Sequence, residues 1–435
     1  MSSVMLDPTT SAPPSRSLAD RYAAMPAYYR WPPIAALGIL VLTIVQGRSD
    51  TELLTSGNTT QTMLKWSIPL LLAGLGGLFS ERAGVVNIGL EGIMIFGTWM
   101  GAYGAFHWGP WGGLLFGAIG GAIGGLLHAV ATIQFGVDHI VSGVAINILG
   151  PGLTRYLSER IFVNYEGGSQ TQSPRTDGLG EWTVPVLAGG DLFGWKSPDV
   201  LGWFVKKDWF WVSDIAGMAR GLMFRIGYFT LIALALAVIG SWVLWKTRLG
   251  LRLRSAGENP WAGESLGVNI YKYKYIGVIL SGILAGMAGA FIVLELTGQY
   301  RGGQTQGRGF IALAALIFGN YRVAGIVTGA FLFSYPLGIR FADFGGEATR
   351  ALLLVIVLAL AGVMVWAIRN DKKVDAAIAG VLGVATFIWY FTTDAAPDWL
   401  PNTMPYALVL LVLIFNVQKL RVPEADGVIF RRGDH

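Results

Sequence analysis

Residues 84–97 read G-V-V-N-I-G-L-E-G-I-M-I-F-G, an apolar run broken by four glycines, by Asn87 and by Glu91. An ionisable group inside a membrane span costs about 2.5–3.5 kcal/mol on insertion scales and usually faces a cavity or a partner. Two roles stay open for Glu91: a pathway or gating group, or a local group that pairs with Arg82 or caps a helix. Residues 302–319, G-G-Q-T-Q-G-R-G-F-I-A-L-A-A-L-I-F-G, repeat the theme. There Gln304, Gln306 and Arg308 precede an apolar run of about eleven residues, too short to cross a bilayer alone. Both stretches end in I-F-G, one in each half of the chain. Glycine-interrupted, polar-tinged segments in corresponding halves point to broken helices lining a midplane pathway.

Outward from these stretches the chain is apolar in repeated blocks. Of 435 residues, 53% are hydrophobic and 14% charged, where a soluble domain carries about 25% charge. Apolar runs fall near 33–48, 62–79, 86–106, 111–134, 139–158, 226–245, 275–297, 309–319, 323–339, 350–368, 375–393 and 404–418. Helices are the only open-ended structures that satisfy their backbone groups in hydrocarbon. The expected fold is therefore an all-α polytopic membrane protein of about twelve transmembrane helices or half-helices.

Charge sets the orientation. Lys246, Arg248, Arg252, Arg254, Lys272 and Lys274 mark the loop 246–274 as cytoplasmic, and Arg369, Lys372 and Lys373 mark 369–374 likewise. Lys419, Arg421, Arg431 and Arg432 place the C-terminal tail on the same side. Six runs precede the first of these loops and ten the second, so both termini are expected to be cytoplasmic. The first thirty residues, with Asp7, Asp20 and three arginines, lack the layout of a cleavable signal peptide. By the same count the hydrophilic segment 159–225 lies outside. Its five tryptophans suit an irregular lid with an aromatic-rich helix at the outer interface, or a docking surface for an extracytoplasmic partner.

Most of the sixty glycines have a packing explanation. Gly113, Gly117, Gly121 and Gly125 make three successive G-x-x-x-G steps, and Gly282 with Gly286 makes another. Small residues at that spacing let helix backbones approach where no hydrophobic drive separates them from lipid. His128 reads as a hydrogen-bonded packing residue and Glu295 as interfacial.

Catalysis has little support. The absence of cysteine removes disulfides and thiol chemistry, and His107, His128, His139 and His435 are too scattered for a His-rich metal site. There is no H-E-x-x-H and no G-x-x-x-x-G-K-[ST]. The chain is thus expected to bind no cofactor itself, with ATP and magnesium held on another subunit if ATP drives it. A net charge of +5 informs topology rather than nucleic-acid binding.

The basic loop carries a helix of its own. Residues 255–270 read S-A-G-E-N-P-W-A-G-E-S-L-G-V-N-I. Asn259 suits an N-cap, Pro260 the first helical turn, and Gly267 the left-handed residue that ends a short helix. A capped two-turn helix in a cytoplasmic loop is a handle for another protein.

Three blocks of this chain resemble the permease subunits of bacterial ABC importers for nucleosides and simple sugars, a group related to the ribose and branched-chain amino acid permeases. Residues 75–97, L-G-G-L-F-S-E-R-A-G-V-V-N-I-G-L-E-G-I-M-I-F-G, are similar to the family signature. Residues 138–149, D-H-I-V-S-G-V-A-I-N-I-L, resemble the following block, with His139 where glutamine is usual. Residues 257–289 resemble the coupling loop and next span, G-E-N-P-x-A followed by S-G-x-L-A-G-x-A-G-A. The likeness covers roughly 60–340, with 405–427 similar to the usual last span and tail.

The resemblance implies two five-helix halves of ABC importer permease type, at 61–158 and 226–340, with added terminal helices. Residues 1–60 and 341–393 stand as additions, 159–225 as a long outer region, and 394–435 as the last helix and tail. It implies a multi-pass protein of the bacterial inner membrane, not an enzyme, that moves a nucleoside or simple sugar by alternating access. Its implied partners are a second, non-identical permease subunit, two ATP-binding subunits and an extracytoplasmic substrate-binding protein. The coupling helix would be residues 260–266, with Glu258, Asn259, Pro260, Trp261, Ala262 and Gly267 contacting the ATPase. A neutral polar substrate suits amides, so Asn87, Glu91, Asn147, Gln304, Gln306 and Arg308 are the candidate pathway groups. An ion-coupled secondary transporter would want several mid-span carboxylates, and a membrane enzyme would want clustered acids in 159–225; neither pattern is present.

Overall fold

The computed structural model describes residues 27–49, 51–192, 194–343, 346–393, 397, 399–416 and 420–431. The expected N-terminal tail up to residue 26, together with Lys419, Arg432 and His435, lies outside the described residues. Four helices form the first part: α1 (Ala27–Arg48), α2 (Gly57–Arg82), α3 (Leu90–Ala129, extended by a π turn, Val130–Gln134) and α4 (His139–Arg160). The segment 161–227 holds two short helices, α5 (Val200–Lys206) and α6 (Val212–Met223). Then follow α7 (Tyr228–Lys246), α8 (Arg248–Glu258), α9 (Pro260–Ser265), α10 (Ile270–Phe291, with a π turn Ile292–Thr297) and α11 (Arg308–Phe318). The chain closes with α12 (Val323–Ala342), α13 (Glu347–Arg369), α14 (Lys373–Thr392) and α15 (Leu400–Asn416). The expected apolar runs fall largely on these helices; residues 86–89, 226–227, 319 and 393 flank them, and 417–418 are not described. Among the described residues seven helices are long and apolar enough to cross a membrane by length and composition.

Two of the expected runs share α3, which turns back on itself. Trp108 (φ −130°, ψ 17°) and Gly109 (φ 74°, ψ −179°) leave the helix, and Pro110 starts the second arm. Gly109 reaches this left-handed conformation without steric penalty, and proline is pre-set for a first turn. The arms, 90–107 and 110–129, lie antiparallel: Gly104 packs on Gly112 and Phe116, Gly120 on Met100, and Gly124 on Ile93.

Helix α10 fills the space between both arms and α2. A Cβ on Gly282 would sit 2.2 Å from Gly121 O, and one on Gly286 2.2 Å from Gly117 O. On the other arm, a Cβ on Gly289 would sit 2.1 Å from Met94 O. The G-x-x-x-G steps thus meet one another across one seam, backbone against backbone, as close packing in lipid demands.

The loops sort to two ends of the bundle. Arg82 at the end of α2 pairs with Glu258 and donates to Tyr321 O, so the α2, α8 and α11 termini share one end. The opposite end holds the 161–227 segment. Here β1 (Glu181–Trp182) pairs antiparallel with β4 (Ile226–Gly227), and β2 (Asp191–Leu192) with β3 (Trp195–Lys196). Glu181 ties this segment to α2 through Lys65 (3.1 Å) and to Arg225 (2.5 Å). Burial pushes the Glu181 carboxyl up, but hydrogen bonds and charge from Lys65 and Arg225 outweigh it and hold the group below its ordinary value. The segment is irregular, with two short helices where the sequence suggests one.

Helices α13 and α14 form a peripheral hairpin. Only 28% and 11% of their apolar windows are buried, against 78% for α10. A turn at Asn370 and Asp371 joins them at the end that carries α9.

Candidate functional site

Both broken segments are real breaks in helix. After α2, residues 85–89 run without regular structure before α3 begins at Leu90. After α10, residues 298–307 re-enter the bundle before α11 begins at Arg308. Eleven residues of α11 rise about 16 Å, roughly half a ~30 Å hydrocarbon core.

The start of α3 and the start of α11 meet at Glu91. Its carboxylate accepts from Thr305 Oγ1 (2.6 Å), Gly307 N (2.9 Å) and Gly309 N (2.6 Å). These amides belong to the first turn of α11, whose unpaired N–H groups and dipole favour an anion. Glu91 is 6% exposed and is the N-terminal anchor of the half-helix. The geometry shows Glu91 as a cap, and the helix it caps is α11. Arg82 turns instead to Glu258 (3.1 Å). Gly309 allows the approach, since a Cβ there would lie 2.6 Å from Glu91 Cα.

The other candidates divide. Arg308 is buried, stacks over Trp66 at 4.3 Å, and donates to Gln304 O and Thr305 O. Gln304 Oε1 accepts from Arg301 N, while its Nε2 has no partner among the described residues. Arg308 Nε and Asn87 Oδ1 are likewise buried and without a partner among the described residues. Such atoms cost about 1–3 kcal/mol each unless something else satisfies them. Asn87 Nδ2 donates to Ser281 on α10. Asn147 has both amide atoms occupied: Oδ1 accepts from Gly92 N and Nδ2 donates to Ile88 O. It pins the irregular turn before α3. Gln306 is exposed, and its carbonyl accepts from Tyr406 OH (2.7 Å).

Sequence reasoning passed over Thr305, Trp66, Phe310 and Tyr406. Phe310 (44% exposed) and Tyr406 (42% exposed) flank Gly307 at the mouth of this junction. An exposed aromatic beside a half-helix start is the signal that would have found them. His128 is a packing residue as expected, bonded to Ser142 Oγ and Val86 O. Glu295 accepts from Leu179 N in the 161–227 segment.

At the basic end, α9 is built as its sequence suggests. Asn259 Oδ1 accepts from Ala262 N (3.0 Å), Pro260 opens the helix, and Gly267 takes φ 80°. The helix ends at Ser265, with Leu266 as its C-cap. Leu266 is 84% exposed, an apolar side chain offered outward. Trp261 packs instead on Phe430 of the C-terminal tail. In that tail, burial first and the Glu81 carboxylate second push the Asp426 carboxyl up, to about 8.

The family model described as branched-chain amino acid transport system / permease component matches residues 59–361. The chain belongs to this permease family. The nucleoside ABC transporter permease protein NupC of Lactococcus lactis subsp. cremoris is 38% identical to this permease over 375 residues, 84% of this chain and 94% of that protein. The guanosine ABC transporter permease protein NupQ of Bacillus subtilis is 37% identical over 62% of this chain and 78% of that protein. A second Bacillus subtilis protein, the guanosine ABC transporter permease protein NupP, is 25% identical over 61% of this chain and 68% of that protein. No solved structure matches the permease.

Proposed function

We propose that this permease is the membrane subunit of an ATP-binding cassette importer that carries nucleosides across the bacterial inner membrane, with α9 as the helix its ATPases push. The observation that carries this reading is the capped helix α9, rooted in the bundle by the Arg82–Glu258 pair, on a chain similar along 84% of its length to a nucleoside permease. ATP and magnesium would be held by two partner subunits, and a binding protein would deliver substrate to the 159–225 face. Two Bacillus subtilis proteins named for guanosine both resemble this chain, which supports a non-identical second permease. The exposed apolar side chains of α4, among them Ile140, Val144 and Ile148, suit that neighbour. Both termini would face the cytoplasm, by the lysines and arginines of the α9 end.

In this reading the pathway passes the Glu91 junction. The exposed ring of Phe310 and the amide of Gln306 suit a flat base and its hydroxylated sugar, one by stacking and one by hydrogen bonds. Base–aromatic stacking contributes about 1–3 kcal/mol, so Phe310→Ala is expected to reduce guanosine uptake roughly tenfold with the complex intact. Unchanged uptake would move the substrate off this wall. A proton or ion relay through Glu91 fits less well, since three donors already hold its carboxylate.

The test of the whole reading is purification of the tagged chain from cells expressing its gene neighbourhood, followed by ATP-driven guanosine uptake in vesicles. Co-purification of an ATPase and a second permease is expected. Gly267→Pro removes the N–H that donates to Glu264 O and cannot adopt φ 80°, and Glu258→Arg sets two cations together at buried Arg82. Each is expected to abolish binding-protein-stimulated ATP hydrolysis. Normal stimulation in both, with the chain folded, would remove the assignment of α9.

A further inference from the structure

Residues 420–431 lie across the end of the molecule that carries α9, and their backbone is bonded to one element after another. Arg421 N donates to Asn320 Oδ1 (2.7 Å), in the turn that ends α11. Ala425 N donates to Gly257 O (2.8 Å), in the last turn of α8, three residues before α9 begins. Lys274 Nζ bridges Gly84 O (3.2 Å) and Val428 O (3.3 Å), joining the tail to the loop that enters α3. That lysine is 3% exposed, so its ammonium depends on these carbonyls. Tyr271 OH donates to Phe430 O, and the buried Phe430 ring packs on Trp261 of α9. Ile429 reaches Gly136, in the turn before α4.

The buried anchors of this stretch are Pro423, Ala425 and Phe430, spaced along a segment with no regular structure of its own. A tail that only covered apolar surface would lie along one groove. This one instead links α9 to the entries of α3 and α4 and to the end of α11. We infer that residues 420–431 form a strap that transmits displacement of α9 to the two broken-helix segments, acting beside the direct α9–α10 connection. The inference rests on the coupling role proposed for α9. Ala425 and Phe430 are positioning residues in it, since neither meets substrate.

The test uses the full chain in its purified complex. Ala425→Pro removes the N–H bonded to Gly257 O, and Phe430→Ser removes the ring on Trp261. Trypsin cleavage after Arg421 reports whether the strap has left its seat. Expected for both variants are normal co-purification of ATPase and basal hydrolysis, with stimulation by loaded binding protein and guanosine uptake reduced about tenfold or more. Full stimulation in a variant whose strap is released would overturn the inference. So would loss of ATPase from both complexes, because the tail would then be a docking or folding element. Gly267→Pro run in parallel separates the two ideas: if it uncouples while the tail variants do not, only the strap is wrong. If Gly267→Pro stays coupled, the role of α9 fails first.

Discussion

Glu91→Gln is expected to destabilise the assembled permease by roughly 3 kcal/mol and to cut substrate uptake at least tenfold, as buried charge-assisted hydrogen bonds are lost at the start of α11. The carboxylate presents two acceptor oxygens to Thr305, Gly307 and Gly309. A glutamine keeps one oxygen and turns an NH2 toward a donor, while removing the negative charge that the half-helix dipole favours. Thermal unfolding of the detergent-purified complex measures the first effect and vesicle uptake the second. Thr305→Val removes one of the same contacts, so its effect should combine with Glu91→Gln non-additively, by about 0.5–3 kcal/mol. A fully stable Glu91→Gln protein without uptake would show the carboxylate acting on the passing solute rather than on α11. A stable and active one would leave the junction without a role.

Gly286→Leu should prevent recovery of a folded complex altogether. Its Cβ would stand 2.2 Å from Gly117 O and 2.5 Å from Gly121 Cα, both backbone, so no rotamer change relieves the overlap. The α3–α10 seam must open, at a cost above the ~1–3 kcal/mol typical of overpacking. Gly362→Leu on α13 is the control, because a Cβ there meets nothing within 4 Å. Membrane yield and unfolding temperature compare the two. A Gly286→Leu protein as stable as the control would mean that α3 and α10 are not this close.

These two predictions differ in how visible their basis was in the sequence. The glycine seam was legible because its pattern is local: four residues set each step, and a matching step on a second span supplies the partner. The same holds for α9, whose cap, proline and terminal glycine all lie within nine residues. Residues 84–97 and 302–319 were legible as broken helices, since glycines and polar groups interrupt each run.

What could not be read was their meeting. Glu91 and Gly309 are 218 positions apart, and nothing local to either specifies which terminus the carboxylate caps. Asn147 shows the converse case. An asparagine in a span suggests a pathway group, yet its amide matches two backbone groups at the α3 entry, at 2.7 and 2.9 Å. The docking of the tail was likewise out of reach, because its hydrogen bonds to Asn320, Gly257, Lys274 and Tyr271 all use main-chain atoms of the tail, which side-chain identity does not announce.

The α13–α14 hairpin has a practical consequence. Its turn at Asn370 and Asp371 is exposed and closes through hydrogen bonds back into α13, to Trp366, Ala367 and Ile368. Backbone of that kind tolerates an inserted domain, because no other element depends on it. A rigid fusion placed there would add a fiducial mass for electron-microscope alignment. It would project from the face that carries α9 yet branch from the periphery, leaving α9 and the tail untouched for imaging with and without nucleotide.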